Sequence, residues 1–323
     1  VLASSQNRHH KDEEVCPVVQ DVIIAGGGPA GLTAAIYTAR AGLKVKVVDP
    51  VGAGGQAGNT SVIYNYPGFP NGVSGPELMG FMIDQAKGFG AEIDFGEVTK
   101  IQKQGSLFKV TVDGKDYEAR SVVWAAGTSP RSLGVPGEVE LKGRGVSYCA
   151  ICDGPLFRNK VVAVVGGGDS ALTGAQFLTG YAQQVILLHR RDEFRAGLAN
   201  VNRVMDNPRI TLKLNSVVEA MKGDGLLESL VVKNVKTGEI EEVEVDGVFL
   251  YVGSIPNTAP LEGLAVLTPN GYVKTEDDMS TVTPGLFVAG DVRDKLLRQV
   301  ATAVGDGAVA GWSVEKYIIE NFR

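Results

Sequence analysis

An apolar strand that runs into a glycine turn and then a helix occurs twice in this chain, in one register, and the repeat restricts the possible folds more than any other feature. The first copy is Asp21-Val22-Ile23-Ile24-Ala25-Gly26-Gly27-Gly28-Pro29-Ala30-Gly31, with a helix predicted to about Ala41. In its G-x-G-x-x-G pattern, Gly26 allows the tight turn, Gly28 lets a pyrophosphate approach the backbone, and Gly31 lets the helix pack on the strand. The pattern alone is weak. Here a second strand, Lys44 to Val48, follows and ends in Asp49, at the distance where an acid hydrogen-bonds a ribose hydroxyl. Strand, turn, helix, strand and acid in that order predict a dinucleotide site.

The second copy has strand Lys160 to Val165, turn Gly166-Gly167-Gly168-Asp169-Ser170-Ala171, and a helix to about Gly180. Its next strand, Val185 to Leu188, ends in His189-Arg190-Arg191. The offset from Gly26 to Gly166 equals that from Asp49 to His189, so position 189 corresponds to the acid. An acid there favours a free ribose diol, whereas guanidinium groups favour a 2'-phosphate, gripped by paired hydrogen bonds; Arg195 is placed to join them. A solvated basic strand end is the alternative. Each copy closes on a glycine-to-proline stretch, Ala126-Gly127-Thr128-Ser129-Pro130 and Gly253-Ser254-Ile255-Pro256-Asn257. The matching closures predict that the second unit is inserted into the first, with both crossings acting as hinges.

Between these landmarks, the glycine-rich run from Gly52 to Phe69 reads as a loop lying along an extended cofactor. Gly75 to Gly88 reads as a helix burying Leu78, Phe81, Met82 and Ala86. Two or three strands are expected between Glu92 and Tyr117, with a turn at Asp113-Gly114, and a separate buried strand from Ser121 to Ala126. The second unit should carry strands Leu212 to Val218, Leu226 to Lys233, Ile240 to Val245 and Gly247 to Val252. After it, Gly285 to Asp291 reads as a strand with an acid at its carboxyl end, and Arg298-Gln299 opens a last helix to about Ile319 in which Trp312 and Tyr317 pack.

Tyr148-Cys149-Ala150-Ile151-Cys152-Asp153-Gly154 carries the chemistry. Two cysteines with two residues between them can close a disulfide ring, and at a helix start the N–H groups and dipole lower a thiol's pKa. A structural zinc half-site and a fortuitous spacing are the alternatives. Zinc is disfavoured because only one further cysteine exists, Cys16. A net charge of -6 argues against nucleic acid or an anionic membrane as partner, and no apolar run approaches the ~18 residues of a spanning helix, so a soluble chain is expected. Residues 1–15, with His9 and His10, read as a flexible leader, either a cloning remnant or the end of a processed presequence.

With those residues assembled, the chain closely resembles the low-molecular-weight, bacterial-type thioredoxin reductases from about Gln20 to Phe322. The resemblance is carried by GGGPAG (26–31), GGQ (54–56), NYPG (65–68), CAICDG (149–154), GGGDSA (166–171), HRRDEFRA (189–196), AGDV (289–292) and RQ (298–299). It implies an α/β fold of two Rossmann-like, three-layer domains, the second inserted into the first: residues 16–128 and 254–323 for FAD, 129–253 for NADPH and the cysteine pair. By motif, Gly26, Gly28, Gly31, Asp49, Gln56, Asn65, Asp291, Arg298 and Gln299 would contact FAD. Gly166, Gly168, Ser170, His189, Arg190, Arg191 and Arg195 would hold NADPH. Cys152 would lie nearest the flavin and Cys149 would attack the disulfide of thioredoxin. The resemblance also implies a homodimer, a cytoplasmic location (unless the leader addresses an organelle) and a rotation of the inserted domain that presents nicotinamide and cysteines to the flavin in turn.

Of three histidines, two lie in the leader and one at the nucleotide, so Asp153 is the expected proton carrier for the thiols; a plain helix-start carboxylate is the alternative. The chain departs from the resemblance at Thr173-Gly174, where related sequences commonly carry paired glutamates. Rival readings are a ferredoxin-fed reductase and an oxidase of small dithiols, neither of which needs His189-Arg190-Arg191, and, from a different class, a flavin-binding redox sensor, which nothing in the sequence favours.

Overall fold

The computed structural model describes residues 19–60 and 62–323, so the expected leader, with His9, His10 and Cys16, lies outside the described residues. Gln20–Ala25 forms a strand because Val22, Ile23 and Ile24 are covered on both faces, the pattern of a central parallel strand. Around it the first sheet runs Glu92–Phe95, Val45–Asp49, Gln20–Ala25, Lys115–Trp124, Leu107–Val112 and Val98–Gln104. The first four are mutually parallel, and the last two form a hairpin returning antiparallel.

Lys115–Trp124 corrects the expected separate strand at Ser121. No glycine or proline interrupts it, so one long strand serves two neighbours. Its first half pairs antiparallel with Leu107–Val112, and Val122 to Trp124 pairs parallel with Leu286–Val288. The span from Glu92 to Trp124 thus holds four strands, the expected three at most before Lys115 and one long strand in place of the separate one at Ser121. The turn at Asp113-Gly114 has φ of 47° and 79°, the positive values a tight hairpin demands. Leu286–Val288 is shorter than expected because Gly290, at φ 83°, turns the chain out of the sheet.

The second sheet is wholly parallel, in the order Ile210–Leu214, Gln184–His189, Val161–Gly166, Gly247–Tyr251 and Val146–Ser147. The single strand expected from Leu212 to Val218 breaks at Asn215. Its φ of 54° turns the chain into a separate antiparallel sheet, Ser216–Lys222, Ser229–Asn234 and Ile240–Glu244; asparagine tolerates that left-handed conformation. Each parallel sheet thus carries helices on one face and antiparallel strands or loops on the other, giving three layers twice.

The two crossings pair with one another. Thr128–Pro130 lies antiparallel to Ser254–Pro256, extended by Arg131 N–H to Gly253 O (2.9 Å) and Asn257 N–H to Gly127 O (3.0 Å). The Asn257 side chain donates to Ala126 O (2.8 Å) and accepts from Ser129 Oγ (2.7 Å), which fastens the ribbon to the end of the first sheet.

Two packing expectations fail. On helix Gly75–Gly88 the buried side chains are Leu78, Met79, Met82 and Ala86, whereas Phe81, on the flank of that stripe, is 55% exposed. Trp312 is likewise 56% exposed on the last helix, Val300–Phe322, while Tyr317 packs edge-on against Phe287 and Phe322.

The last helix meets helix Pro29–Arg40 through glycines. A Cβ on Gly307 would stand 2.2 Å from Ala30 O, and one on Gly311 would stand 2.6 Å from Tyr37 Cβ. Helix propensity alone would make Gly307→Ala stabilising by ~1 kcal/mol. Overpacking at a close crossing costs about 1–3 kcal/mol, and backbone cannot move aside as a side chain can. Gly307→Ala should therefore lower the urea midpoint of unfolding; an unchanged or raised midpoint would show that the crossing is looser than described.

Candidate active site

Strand Val146–Ser147 delivers the cysteine pair. Cys149 is the N-cap of a four-residue helix, Ala150–Asp153, and its Sγ accepts the N–H of Cys152 at 3.2 Å. The two sulfurs are joined in a disulfide with Cα atoms 5.4 Å apart, inside the ordinary range. Cys152 is exposed and Cys149 half-buried. Asp153 accepts a hydrogen bond from Ser147 Oγ (2.6 Å), and Ser147 Oγ accepts the Cys149 N–H (3.0 Å). Sequence reasoning passed over Ser147, which ties the carboxylate to the backbone of the first cysteine.

It also passed over Glu138. That carboxylate is 1% exposed and accepts from Tyr148 Oη (2.6 Å), Ser132 Oγ (2.8 Å), Leu133 N–H (3.0 Å) and Gly134 N–H (2.7 Å). Burial pushes its pKa up, but these donors outweigh burial and hold the carboxyl below its usual range. Burial and the neighbouring Glu138 push the Tyr148 phenol up to about 12, so it remains a donor at neutral pH. The segment leaving the first crossing is thereby fastened to the residue that precedes Cys149.

At the first glycine turn, a Cβ on Gly26 would stand 2.4 Å from Ala125 O and one on Gly31 would stand 1.9 Å from Gly26 O, so both are required by packing. Gly28 differs: the nearest atom to a Cβ there is Gly55 Cα at 3.8 Å, which leaves its face open to a ligand. Asp49 is buried, accepting from Gly27 N–H (2.7 Å) through one oxygen and from Val51 N–H (3.0 Å) through the other. It braces the turn from beneath. Gln56 donates to the carbonyl and hydroxyl of Thr128 in the first crossing.

Asn65 donates to Gln299 Oε1 (2.9 Å), and Gln299 caps the last helix. Arg298 donates to the carbonyls of Asp291 (3.2 Å) and Arg293 (3.0 Å) and stacks over Tyr272. Asp291 Oδ1 is buried with no hydrogen-bond donor; Lys295 Nζ lies 3.5 Å away, near enough for attraction but outside hydrogen-bond geometry. Burial accordingly pushes the Asp291 pKa up, against the pull of Lys295. An orphaned acceptor at a strand end, an open glycine and a bracing acid fit FAD, whose pyrophosphate seeks backbone N–H groups and whose sugar and polyol hydroxyls are donors.

The second turn repeats the arrangement. A Cβ on Gly166 would stand 2.5 Å from Tyr251 O, whereas Gly168 faces open space. Ser170 is exposed on the first turn of helix Asp169–Leu178. The basic loop is stitched over the turn by Arg195 N–H to Gly167 O (2.8 Å) and by Asp169, which accepts from Gly197 N–H (3.0 Å) and Asn200 Nδ2 (2.8 Å). Arg190, Arg191 and Arg195 are exposed, and among the described residues none forms an ion pair. They form a cationic surface suited to a phosphate.

His189 stands apart from the arginines. It is 5% exposed, its ring lies under Gly167 and stacks on Phe194, and Nε2 is 3.0 Å from Glu193 O, which can only accept. It braces the loop that carries the arginines. Burial pushes its pKa below the usual 6.5, and Arg191, Arg195 and Arg190 push the same way, so the ring is neutral near pH 7. The unfolded chain takes up this proton near pH 6.5 and the folded chain only lower, so His189 removes stability as pH falls from 6.5 toward the folded value. Between pH 6.5 and 5.5 the urea midpoint should fall, and fall less in His189→Gln; parallel profiles for parent and variant would show that the ring titrates freely.

Residues 20–307 match the family described as pyridine nucleotide-disulphide oxidoreductase. A thioredoxin reductase of Bacillus subtilis is 45% identical over 304 residues, covering 94% of this chain and 96% of its own. The crystal structure of Lactococcus lactis thioredoxin reductase, described as the FR conformation, superposes with a TM-score of 0.90 at 43% identity, covering 93% of this chain and 99% of that one. The thioredoxin reductase of Streptococcus pyogenes, also 43% identical and covering 94% of this chain and 99% of that one, superposes with a TM-score of only 0.63. On sequence, fold and the arrangement of its cysteines and glycine turns, this chain belongs to the pyridine nucleotide-disulphide oxidoreductases and, among them, to the thioredoxin reductases of bacterial type.

Proposed function

We infer that this chain is an NADPH-dependent thioredoxin-disulfide reductase, with FAD and the Cys149–Cys152 pair between the nicotinamide and thioredoxin. The observation that carries the reading is the cysteine pair, disulfide-bonded at a helix start, in a chain with two nucleotide turns of which one is followed by an acid and the other by arginines. FAD, when bound, supplies a carrier that takes two electrons as hydride and can release them to sulfur.

The chain's own residues divide the remaining work. Gly168 and Ser170 receive the pyrophosphate of NADPH at a turn that Gly166 shapes by packing, and Arg190, Arg191 and Arg195 its 2'-phosphate. Gly28 receives the FAD pyrophosphate at the turn that Gly26 and Gly31 shape, with Asp291, Gln56, Asn65, Arg298 and Gln299 along the rest of that cofactor. In the reduced pair, Cys149 is the nucleophile, because the Cys152 N–H points at its sulfur and favours the thiolate. It attacks the disulfide of thioredoxin, giving a mixed disulfide and a thioredoxin thiolate; Cys152 then attacks Cys149, closes the ring and releases the thioredoxin dithiol. Asp153, held by Ser147, carries the proton that the leaving thiolate takes up. The sum consumes NADPH, a proton and a protein disulfide and yields NADP and a protein dithiol.

Residues 16–128 and 254–323 are assigned to FAD and 129–253 to NADPH, hinged at the paired crossings. Two relatives of equal identity that superpose unequally support this, because a changed disposition of the same parts would produce such a difference without sequence divergence. A homodimer is proposed because Val309, Trp312 and Ile319 stand exposed along one face of the last helix, as an apolar surface for a second copy. The cytoplasm is the proposed location. Among the described residues no helix is long and apolar enough to cross a membrane, and the acidic balance disfavours nucleic acid.

In a steady-state assay with thioredoxin, NADPH should be preferred to NADH. Each of Arg190→Ala and Arg191→Ala should raise KM for NADPH by about tenfold, the size of one lost charged hydrogen bond, without changing KM for NADH. Equal effects on the two nucleotides would contradict the 2'-phosphate assignment. Asp153→Asn should slow dithiol–disulfide exchange while bleaching of the flavin by NADPH proceeds at the parent rate; unaltered exchange would remove the proton role.

A further inference from the structure

Position 174, where the chain departs from the resemblance, has a structural consequence. Gly174 is buried on helix Asp169–Leu178, and a Cβ there would stand 2.8 Å from the Tyr251 hydroxyl and 2.9 Å from its ring. The phenol occupies space that any side chain at 174 would contest. From that slot the Tyr251 hydroxyl accepts the N–H of Ala150 at 3.0 Å. Ala150 is 2% exposed and follows Cys149 directly, so its amide is one of the donors a helix start leaves without an intrahelical partner, with no access to bulk water. The same tyrosine's backbone packs against Gly166, the first glycine of the second turn. Burial pushes the phenol pKa up, which keeps it a neutral acceptor.

We propose that Tyr251 is a positioning residue for the Cys149–Cys152 pair and shifts its redox equilibrium toward the disulfide, in a slot that exists because residue 174 is glycine. Bare N–H groups at a helix start favour negative charge on the N-cap sulfur, and that charge exists only in the reduced pair. The phenol oxygen, seated on the Ala150 N–H, offsets part of this field. It thereby disfavours the dithiol form and makes the pair a stronger reductant toward another protein's disulfide. Removing the hydroxyl frees the amide and favours the dithiol.

The test equilibrates holoenzyme with mixtures of oxidised and reduced dithiothreitol, quenches in acid, alkylates, and counts modified thiols at 149 and 152 by mass. The reaction is a plain exchange: reduced dithiothreitol opens the protein disulfide and closes its own ring. Tyr251→Phe keeps the ring and its volume, so it separates the hydrogen bond from packing. It should move the midpoint ratio by about threefold or more toward the dithiol, the size of one lost hydrogen bond. Gly174→Ala, which displaces the phenol, should move it the same way. No shift in Tyr251→Phe, or a shift toward the disulfide, overturns the proposal; a shift there with none in Gly174→Ala overturns the part assigned to glycine. The inference rests on the redox role of the pair. A parent whose Cys149–Cys152 disulfide never opens defeats that role, whereas a parent that titrates identically to Tyr251→Phe defeats only the present inference.

Discussion

The chain passes between its two parallel sheets twice, and the two passages are hydrogen-bonded to each other, Thr128–Pro130 against Ser254–Pro256. This pairing is what permits one nucleotide-binding fold to sit inside another. Backbone leaving a sheet must find partners for its N–H and C=O groups, and here each crossing supplies them to the other. Asn257 adds bonds from its side chain to Ala126 and Ser129, while its own carbonyl accepts the Trp124 indole N–H at 2.7 Å. A narrow two-stranded ribbon of this kind joins the units, and it is the segment about which the proposed hinge would turn.

Carboxylates around the site act chiefly as braces. Asp49 takes two backbone N–H groups beneath the first turn, Asp169 ties the basic loop to the second, and Glu138 gathers four donors between the first crossing and Tyr148. A buried carboxylate without donors would cost several kcal/mol, so the two buried ones, Asp49 and Glu138, sit where main chain or hydroxyls satisfy them. Asp291 is the contrast, with one buried oxygen and no donor. In the proposed FAD site it is the oxygen that a hydroxyl from outside the chain would satisfy.

Much of this was legible in the sequence, for physical reasons that differ by element. Gly26, Gly31 and Gly166 announce themselves because backbone atoms stand where a Cβ would go, and no other residue type satisfies that. The insertion was legible because both passages end in glycine and proline at matching positions. Less visible was what depends on partners distant along the chain. Ala150 and Tyr251 are 101 residues apart, and nothing local marks the tyrosine as the acceptor of that amide. Glu138 reads as an ordinary loop acid until Tyr148 is seen against it. His189 sits where register places a nucleotide contact, yet an imidazole is small enough to tuck under Gly167, and burial won over exposure. Phe81 was assigned to the core by its spacing from Leu78 and Met82, but the buried stripe is centred toward Met79 and leaves Phe81 on its flank, and Trp312, read as a packing residue, also faces outward.

The central claim is that one flavin serves two electron partners within a single chain, a nicotinamide and the Cys149–Cys152 disulfide. An anaerobic titration of the purified holoprotein with NADPH, followed by flavin absorbance and thiol count, tests it by stoichiometry. Full reduction should consume about two NADPH per chain, one for the flavin and one for the disulfide. Consumption that stops at about one, with the flavin reduced and the disulfide intact, would contradict it.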